Sequence, residues 1–263
     1  MFILNPYRFA TGSAYDSDAQ AFFTAAGITD STQKSAVNQL VLDLKAAGVW
    51  TKFKGIYPLV GGTATTHKYN LKNPLDTNAA YRLTFSGGTH NANGLTGGSG
   101  AFANTNYNYS TSATLNSDYM CFYSRTNSSG AFVVDMGVYQ GSGTATNSIG
   151  VRSPTTSRFA SQNPSEDTVA TASSLGFFSM SRTASTEFRR NLNGTQSTVT
   201  RAQSGALPNR TLYLMALNLD GSTWDPSSRN YAFFGFGDGL TAGEDAAVKT
   251  AVDTFQTTLG RNV

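Results

Sequence analysis

Carboxylates and histidines are the side chains through which most enzymes act, and this 263-residue sequence has only three glutamates and two histidines. Glycoside hydrolysis ordinarily needs two carboxyl groups facing each other across the substrate. Glu244 has the spacing of a helix cap, and Glu187 precedes a hairpin strand. Glu166 and Asp167 are sequence neighbours in a Pro/Ser stretch rather than alternate residues of one strand. No Glu-x-Asp-x-x-Glu arrangement occurs, nor a Gly-x-Ser-x-Gly elbow for an acyl-transfer nucleophile. An aspartate pair is the remaining route to turnover, with Asp135 and Asp225 the residues to test. The expectation is a protein that is not an enzyme.

Nucleotide and metal motifs fail in the same way. Gly235-Phe-Gly237-Asp-Gly239 runs from a strand pattern into a helix pattern, and helix N-termini attract phosphate. A dinucleotide fingerprint also needs a further strand and a ribose-binding acid downstream. Here the helix pattern runs almost to residue 263, so the glycines read as a structural turn that needs flexible backbone. In Gly62-Thr-Ala-Thr-Thr-His67-Lys68-Tyr69, His and Tyr stand where a phosphate loop needs Gly and Ser or Thr. The second histidine, His90, lies in the polar stretch Gly87 to Gly94 and reads as a solvated loop residue. Two histidines and one cysteine make no typical structural zinc cluster. Asp220, Asp225 and Asp238 could offer oxygens to calcium, but no EF-hand spacing organises them. No metal and no cofactor is expected.

The elements that position these residues are mostly strands. Asp118 to Arg125, Ala131 to Tyr139, Ser148 to Arg152, Leu175 to Arg182 and Lys52 to Leu59 are apolar runs separated by Gly, Ser, Asn and Pro. Tyr81, Leu83 and Phe85 alternate with Arg82 and Thr84, the pattern of a strand with one face buried. Asn193-Gly194 between Glu187 to Leu192 and Thr195 to Arg201 predicts a type I′ hairpin. Thr211 to Leu219 and Tyr231 to Phe236 are apolar on both faces, which places them centrally, between the opposite sheet and a helix.

Helices are expected at both ends of the chain. Between Asp16 and Trp50, Ala19, Phe22, Phe23 and Ala26 mark one helix stopped by Gly27. Asp30 with Gln33 resembles a capping box, and Val37, Leu40, Val41, Leu44 and Ala47 keep helical spacing up to Gly48. At the other end Thr241-Ala-Gly-Glu244 spells a capping box, followed by the stripe Val248, Ala251, Val252, Phe255 and Leu259. Burying about four large apolar side chains of that stripe is worth on the order of 6–10 kcal/mol before entropy costs. The fold class is therefore mainly β: an antiparallel β-sandwich over 51–263, closed by a helix at 241–259, with a two-helix segment in 1–50 packed on or docking it.

Composition narrows the partners. Charged residues are 13% of the chain, about half the usual share, and the formal charge is +3. Arg189-Arg190 is the one adjacent basic pair, so no basic stripe exists for nucleic acid. The lone Cys121 sits in the alternating run Tyr119 to Tyr123 and reads as a packed thiol. Met1 to Pro6 has no basic region and too short an apolar run for a signal peptide or membrane span, which points to a soluble product of a cytoplasm. Phe2, Ile3 and Leu4, with Tyr7 and Phe9, read either as a first strand or as a docking peg.

Three groups of segments resemble a known family. Asn5-Pro-Tyr-Arg-Phe9, then Trp50 to Pro58 with Gly61 to Asn70, then Phe236 to Leu240 leading into Phe255 to Arg261, resemble tail-associated or capsid-associated virion proteins of tailed bacteriophages. These carry a concanavalin-like, laminin-G-like sandwich (a jelly roll). The resemblance implies a structural component of a virion, made in the host cytoplasm, with other virion proteins as partners; it carries no catalytic residue. A tail-fibre or tail-tip position would set the sandwich loops against a host-surface glycan or protein. The contact loops would then be those of His90, Asn91 and Asn93, of Tyr107 and Tyr109, and of Trp224 and Asp225, with Phe2, Ile3, Leu4, Tyr7 and Phe9 docking the virion. A homo-oligomer is expected, and a trimer would suit threefold virion sites. Capsid decoration or a head fibre is one alternative, and a polysaccharide-degrading enzyme of the same fold is another.

Overall fold

The computed structural model describes residues 15–130 and 132–263. Phe2, Ile3, Leu4, Tyr7 and Phe9 lie outside the described residues. Helix α1 (Ser17–Ala26) buries Ala19, Phe22, Phe23 and Ala26 and ends at Gly27, as its spacing requires. Helix α2 (Ser31–Ala46) buries Val37, Leu40, Val41 and Leu44. Asp30 accepts from the Gln33 amide at 2.8 Å, but Gln33 does not reciprocate. Its Oε1 accepts from Gly61 N at 2.9 Å, so the expected box is half formed and the glutamine ties α2 to a loop of the sandwich.

Two sheets follow. The first runs β13 (Thr195–Thr200), β12 (Glu187–Leu192), β11 (Gly176–Arg182), β6 (Asp118–Ser124), β17 (Asn230–Gly237), β4 (Gly94–Thr96), β3 (Thr89–Asn91), with β1 (Phe53–Tyr57) paired to the far half of β17. The second runs β10 (Asp167–Ala170), β9 (Thr156–Ala160), β8 (Asn147–Gly150), β7 (Met136–Tyr139), β14 (Thr211–Leu214), β5 (Phe102–Asn108), β2 (Thr84–Ser86). The hairpin of β15 (Leu217–Leu219) and β16 (Ser222–Trp224) joins the second sheet through a short parallel pairing of β15 with β7; the other pairings are antiparallel. Single turns of helix stand at α3 (Ala64–His67) and α4 (Tyr109–Ser112), and α5 (Ala242–Thr258) closes the chain. The fold is mainly β, an antiparallel sandwich.

Three layers result, and β6 shows why. Its side chains alternate between two buried environments: Tyr119, Cys121 and Tyr123 face α1, α2 and α5, while Met120 and Phe122 face the second sheet. Cys121 is thus a packed thiol, and burial pushes its pKa well up. The helix-side core gathers Phe22, Leu40 and Leu44 with Phe53, Phe233, Val248 and Phe255. The core between the sheets gathers Phe178, Phe234 and Phe236 with Met136, Ile149, Phe159 and Leu214. Helices α1 and α2 therefore pack on the sandwich rather than apart from it.

Several expected elements change form. The Asn193-Gly194 hairpin stands as anticipated, with φ of 49° and 102° at its two turn residues. The Tyr81 to Phe85 strand shrinks to Thr84–Ser86, because Tyr81 adopts left-handed backbone (φ 58°) after a short 3-10 turn. Thr211 to Leu219 divides at Met215 (φ 67°) into β14 and β15. Leu212 and Leu214 of β14 enter the core between the sheets, whereas Tyr213 stacks on Phe102 (centroids 4.3 Å) on the outer face of the second sheet, with no helix in the contact. Gly237 and Gly239 are needed for close approach, not for flexible backbone: a Cβ at either would collide with the carbonyl of Lys52 or Arg182.

One seam closes the molecule. Asn70 accepts from Ile56 N and donates to Lys54 O, both at 2.9 Å, fixing the Gly61 to Asn70 turn to β1. Lys52, just before β1, pairs with Glu244 of α5 at 2.6 Å, and Lys54 of β1 pairs with Asp238 in the turn before α5 at 2.8 Å. Beyond α5, Arg261 donates to Leu59 O at 2.9 Å.

Candidate ligand-binding face

The side chains nominated from sequence fall in three places. Tyr107 and Tyr109 are 2% and 0% exposed and belong to the core, so they cannot touch a ligand. Along β5, Ala103, Thr105 and Tyr107 point inward at period two. Tyr107 packs 4.8 Å from Phe236, and the Tyr109 hydroxyl donates to Asp118 at 3.0 Å. Asn104, Asn106 and Asn108, alternating with these buried residues, conceal a strand.

His90, Asn91 and Asn93 lie at the opposite edge, in the β3–β4 hairpin of the first sheet. His90 is not a free loop histidine. Its Nδ1 is 2.9 Å from Nδ1 of His67, which is 2% exposed, and its ring meets Phe85 edge-on at 4.5 Å. Burial holds His67 down to about 3 and also lowers His90, so the pair is neutral at neutral pH and shares one proton-donating contact. Asn91 accepts from Asn93 N at 2.8 Å and so makes the turn itself.

Trp224 and Asp225 are placed differently, on the second sheet. Register fixes the tryptophan: it opposes Leu217 across the β15–β16 hairpin, and Leu217 pairs with Gly137 of β7. Met136 and Val138 point into the core, so Gly137, Leu217 and Trp224 share the outer face. A Cβ at Gly137 would meet Leu217 Cδ1 at 2.8 Å, so the glycine lets the hairpin lie close. Trp224 is left 53% exposed.

A second aromatic belongs to the same face. Val134 N donates to Asp225 O at 2.9 Å, and Val134 and Pro226 form a parallel bridge. Two residues before each bridge member stand Phe132, 60% exposed, and Trp224. The segment reaches this position because Gly150 of β8 has no Cβ to collide with Val133 O. From β9, the Arg158 guanidinium lies 4.9 Å over the Phe132 ring and contacts Glu166 at 3.3 Å. The Asp225 carboxyl is raised by partial burial and lowered by the charge of Arg158, and among the described residues nothing donates a hydrogen bond to it. Phe132 was missed in the sequence because it stood at the head of an expected strand; a large aromatic after Ser128-Ser-Gly is the same signal that singled out Trp224.

A buried ion pair holds both loops from beneath. Arg229 and Asp135, 1% and 0% exposed, meet at 2.7 Å. Arg229 also donates to Val151 O at 2.7 Å and Ser128 O at 3.0 Å, and Tyr231 bonds Asp135 and Ser227. Ser128 leads toward Phe132, and Ser227 follows Pro226. Asp135 is therefore enclosed in an ion pair, and it does not face Asp225 across a cleft. Asp220 pairs with Arg210 at 2.7 Å and Asp238 with Lys54, so the three aspartates considered for calcium do not converge. Among the described residues no group of three or more His, Cys, Asp or Glu could hold a metal, and no helix is long and apolar enough to cross a membrane.

No model of a protein family matches the sequence. No curated protein matches it either. Among solved structures, the chain is similar to the CBM40 of the Ruminococcus gnavus IT-sialidase bound to α2,3-sialyllactose, at 13% identity and a TM-score of 0.42 over 63% of this chain and 97% of that one. It is also similar to the leech intramolecular trans-sialidase, at 10% identity and a TM-score of 0.36 over 51% and 23% of the two chains. A third is the Trypanosoma rangeli sialidase, at 8% identity and a TM-score of 0.39 over 84% and 39%.

Proposed function

We propose that this chain is a non-catalytic structural protein of a tailed-phage virion, a tail-fibre or tail-tip component whose Trp224–Phe132 face binds a host-surface glycan. One observation carries the binding half: two large aromatic side chains stand exposed on one face, on loops held by a buried ion pair. Exposing apolar rings on rigid loops costs solvation that a ligand would recover. An aromatic platform beside an unbonded carboxylate suits sugars, which offer a C–H face to a ring and hydroxyls to an acid.

The virion half rests on the family resemblance. Its described segments, Trp50 to Pro58, Gly61 to Asn70, Phe236 to Leu240 and Phe255 to Arg261, all meet in the closing seam. They hold the fold shut, and the resemblance they carry names no ligand. Antibody labelling of intact particles that carry this protein tests the placement. Label at the tail end supports it; label confined to the head, or found only on debris, sinks it.

A further inference from the structure

Resting on the glycan reading above, we infer that the ligand of the Trp224 face is an uncharged pyranose with free vicinal hydroxyls, stacked on Trp224 and bonded to the Asp225 carboxylate. The indole of Trp224 offers a flat surface to the C–H side of a sugar ring. Asp225 is adjacent in sequence and, through Val134, tied to the segment that carries Phe132. Its carboxylate is partly desolvated and accepts no hydrogen bond among the described residues, so it gains most from a ligand that supplies O–H donors. Two neighbouring hydroxyls would each give one charge-assisted bond, among the stronger kinds.

Charge argues against an acidic sugar. A sialic or uronic carboxylate needs a cation, and the cations of the surrounding strands each have a partner already. Arg158 covers the Phe132 ring and reaches Glu166. Arg210 pairs with Asp220 at the β15–β16 turn, and Arg152 donates to Asn127 at 2.7 Å. Asp225 itself would repel a second carboxylate brought against it.

Calorimetric titration of the full chain with lactose, maltotriose, 3′-sialyllactose and trigalacturonate decides the matter, with Trp224→Ala and Asp225→Asn as variants and thermal melting as the folding control. The expected result is binding of at least one neutral sugar, weakened tenfold or more by either variant, with its acidic counterpart at least tenfold weaker. An acidic sugar that binds more tightly than the neutral ones, still dependent on Trp224, overturns the inference and leaves the glycan reading intact. Neutral binding indifferent to Asp225→Asn likewise overturns the inference alone. No Trp224-dependent binding to any of the four removes both.

Discussion

Asp118 shows what burial does to a single carboxyl at the end of a core strand. Among the described residues only the Tyr109 hydroxyl bonds it and one of its oxygens has no partner, and burial raises it from an ordinary 3.8 to about 7. The folded state therefore keeps a proton that the unfolded chain has already lost between pH 4 and 7, so this group's stabilisation is full below pH 4 and disappears as pH rises to 7. Asp118→Asn should consequently gain stability relative to the native chain on going from pH 4 to pH 8, by up to roughly 4 kcal/mol. Urea melts at the two pH values check it; a difference that stays constant contradicts it. The buried pair beneath the binding face behaves oppositely. Arg229→Met leaves the Asp135 charge uncompensated, and a loss of about 3–5 kcal/mol is expected in the same melts.

Helix α5 was the most legible element, and the structure adds a polar half to its role. Its box forms in both directions between Thr241 and Glu244, and Val248, Ala251, Val252 and Phe255 are buried as their stripe requires. Asp245, on the same buried side, accepts from Tyr119 and Ser179 through one oxygen and from Asn191 through the other, at 2.6–2.7 Å. No sequence rule reveals this, because the three donors come from β6, β11 and β12 and meet only when the sheet is paired. Asp245→Ala leaves three buried donors unsatisfied and should cost more than 3 kcal/mol, whereas a surface change such as Thr250→Ala should cost under about 0.5 kcal/mol. Comparable melting of the two variants would refute the assignment. Truncation before α5 should abolish cooperative unfolding altogether, since the outer faces of β6, β11 and β17 would lose their cover.

At the scale of the molecule, the legible parts were those encoded locally. Period-3.6 stripes with caps gave α1, α2 and α5, and Asn-Gly gave the β12–β13 hairpin. What failed depends on register or on distant partners. Tyr107 and Tyr109 read as loop residues because Asn104, Asn106 and Asn108 alternate along the same stretch, and the His67–His90 contact joins residues 23 apart. Trp224 could be nominated from its Gly/Ser/Asp surroundings, yet its outward direction follows from Leu217 and Gly137 across two pairings. The same geometry brought in Phe132. Helices cover one face of the sandwich, and the other face carries the exposed aromatics; in the proposed reading the first serves stability and the second recognition.

The most direct test of that assignment is binding of the purified chain to host cells, comparing it with the Trp224→Ala/Phe132→Ala double variant at matched folding. The expected result is saturable binding by the native chain and at least a tenfold loss in the variant, with melting unchanged. Equal binding by the two, or none by the native chain, would contradict it.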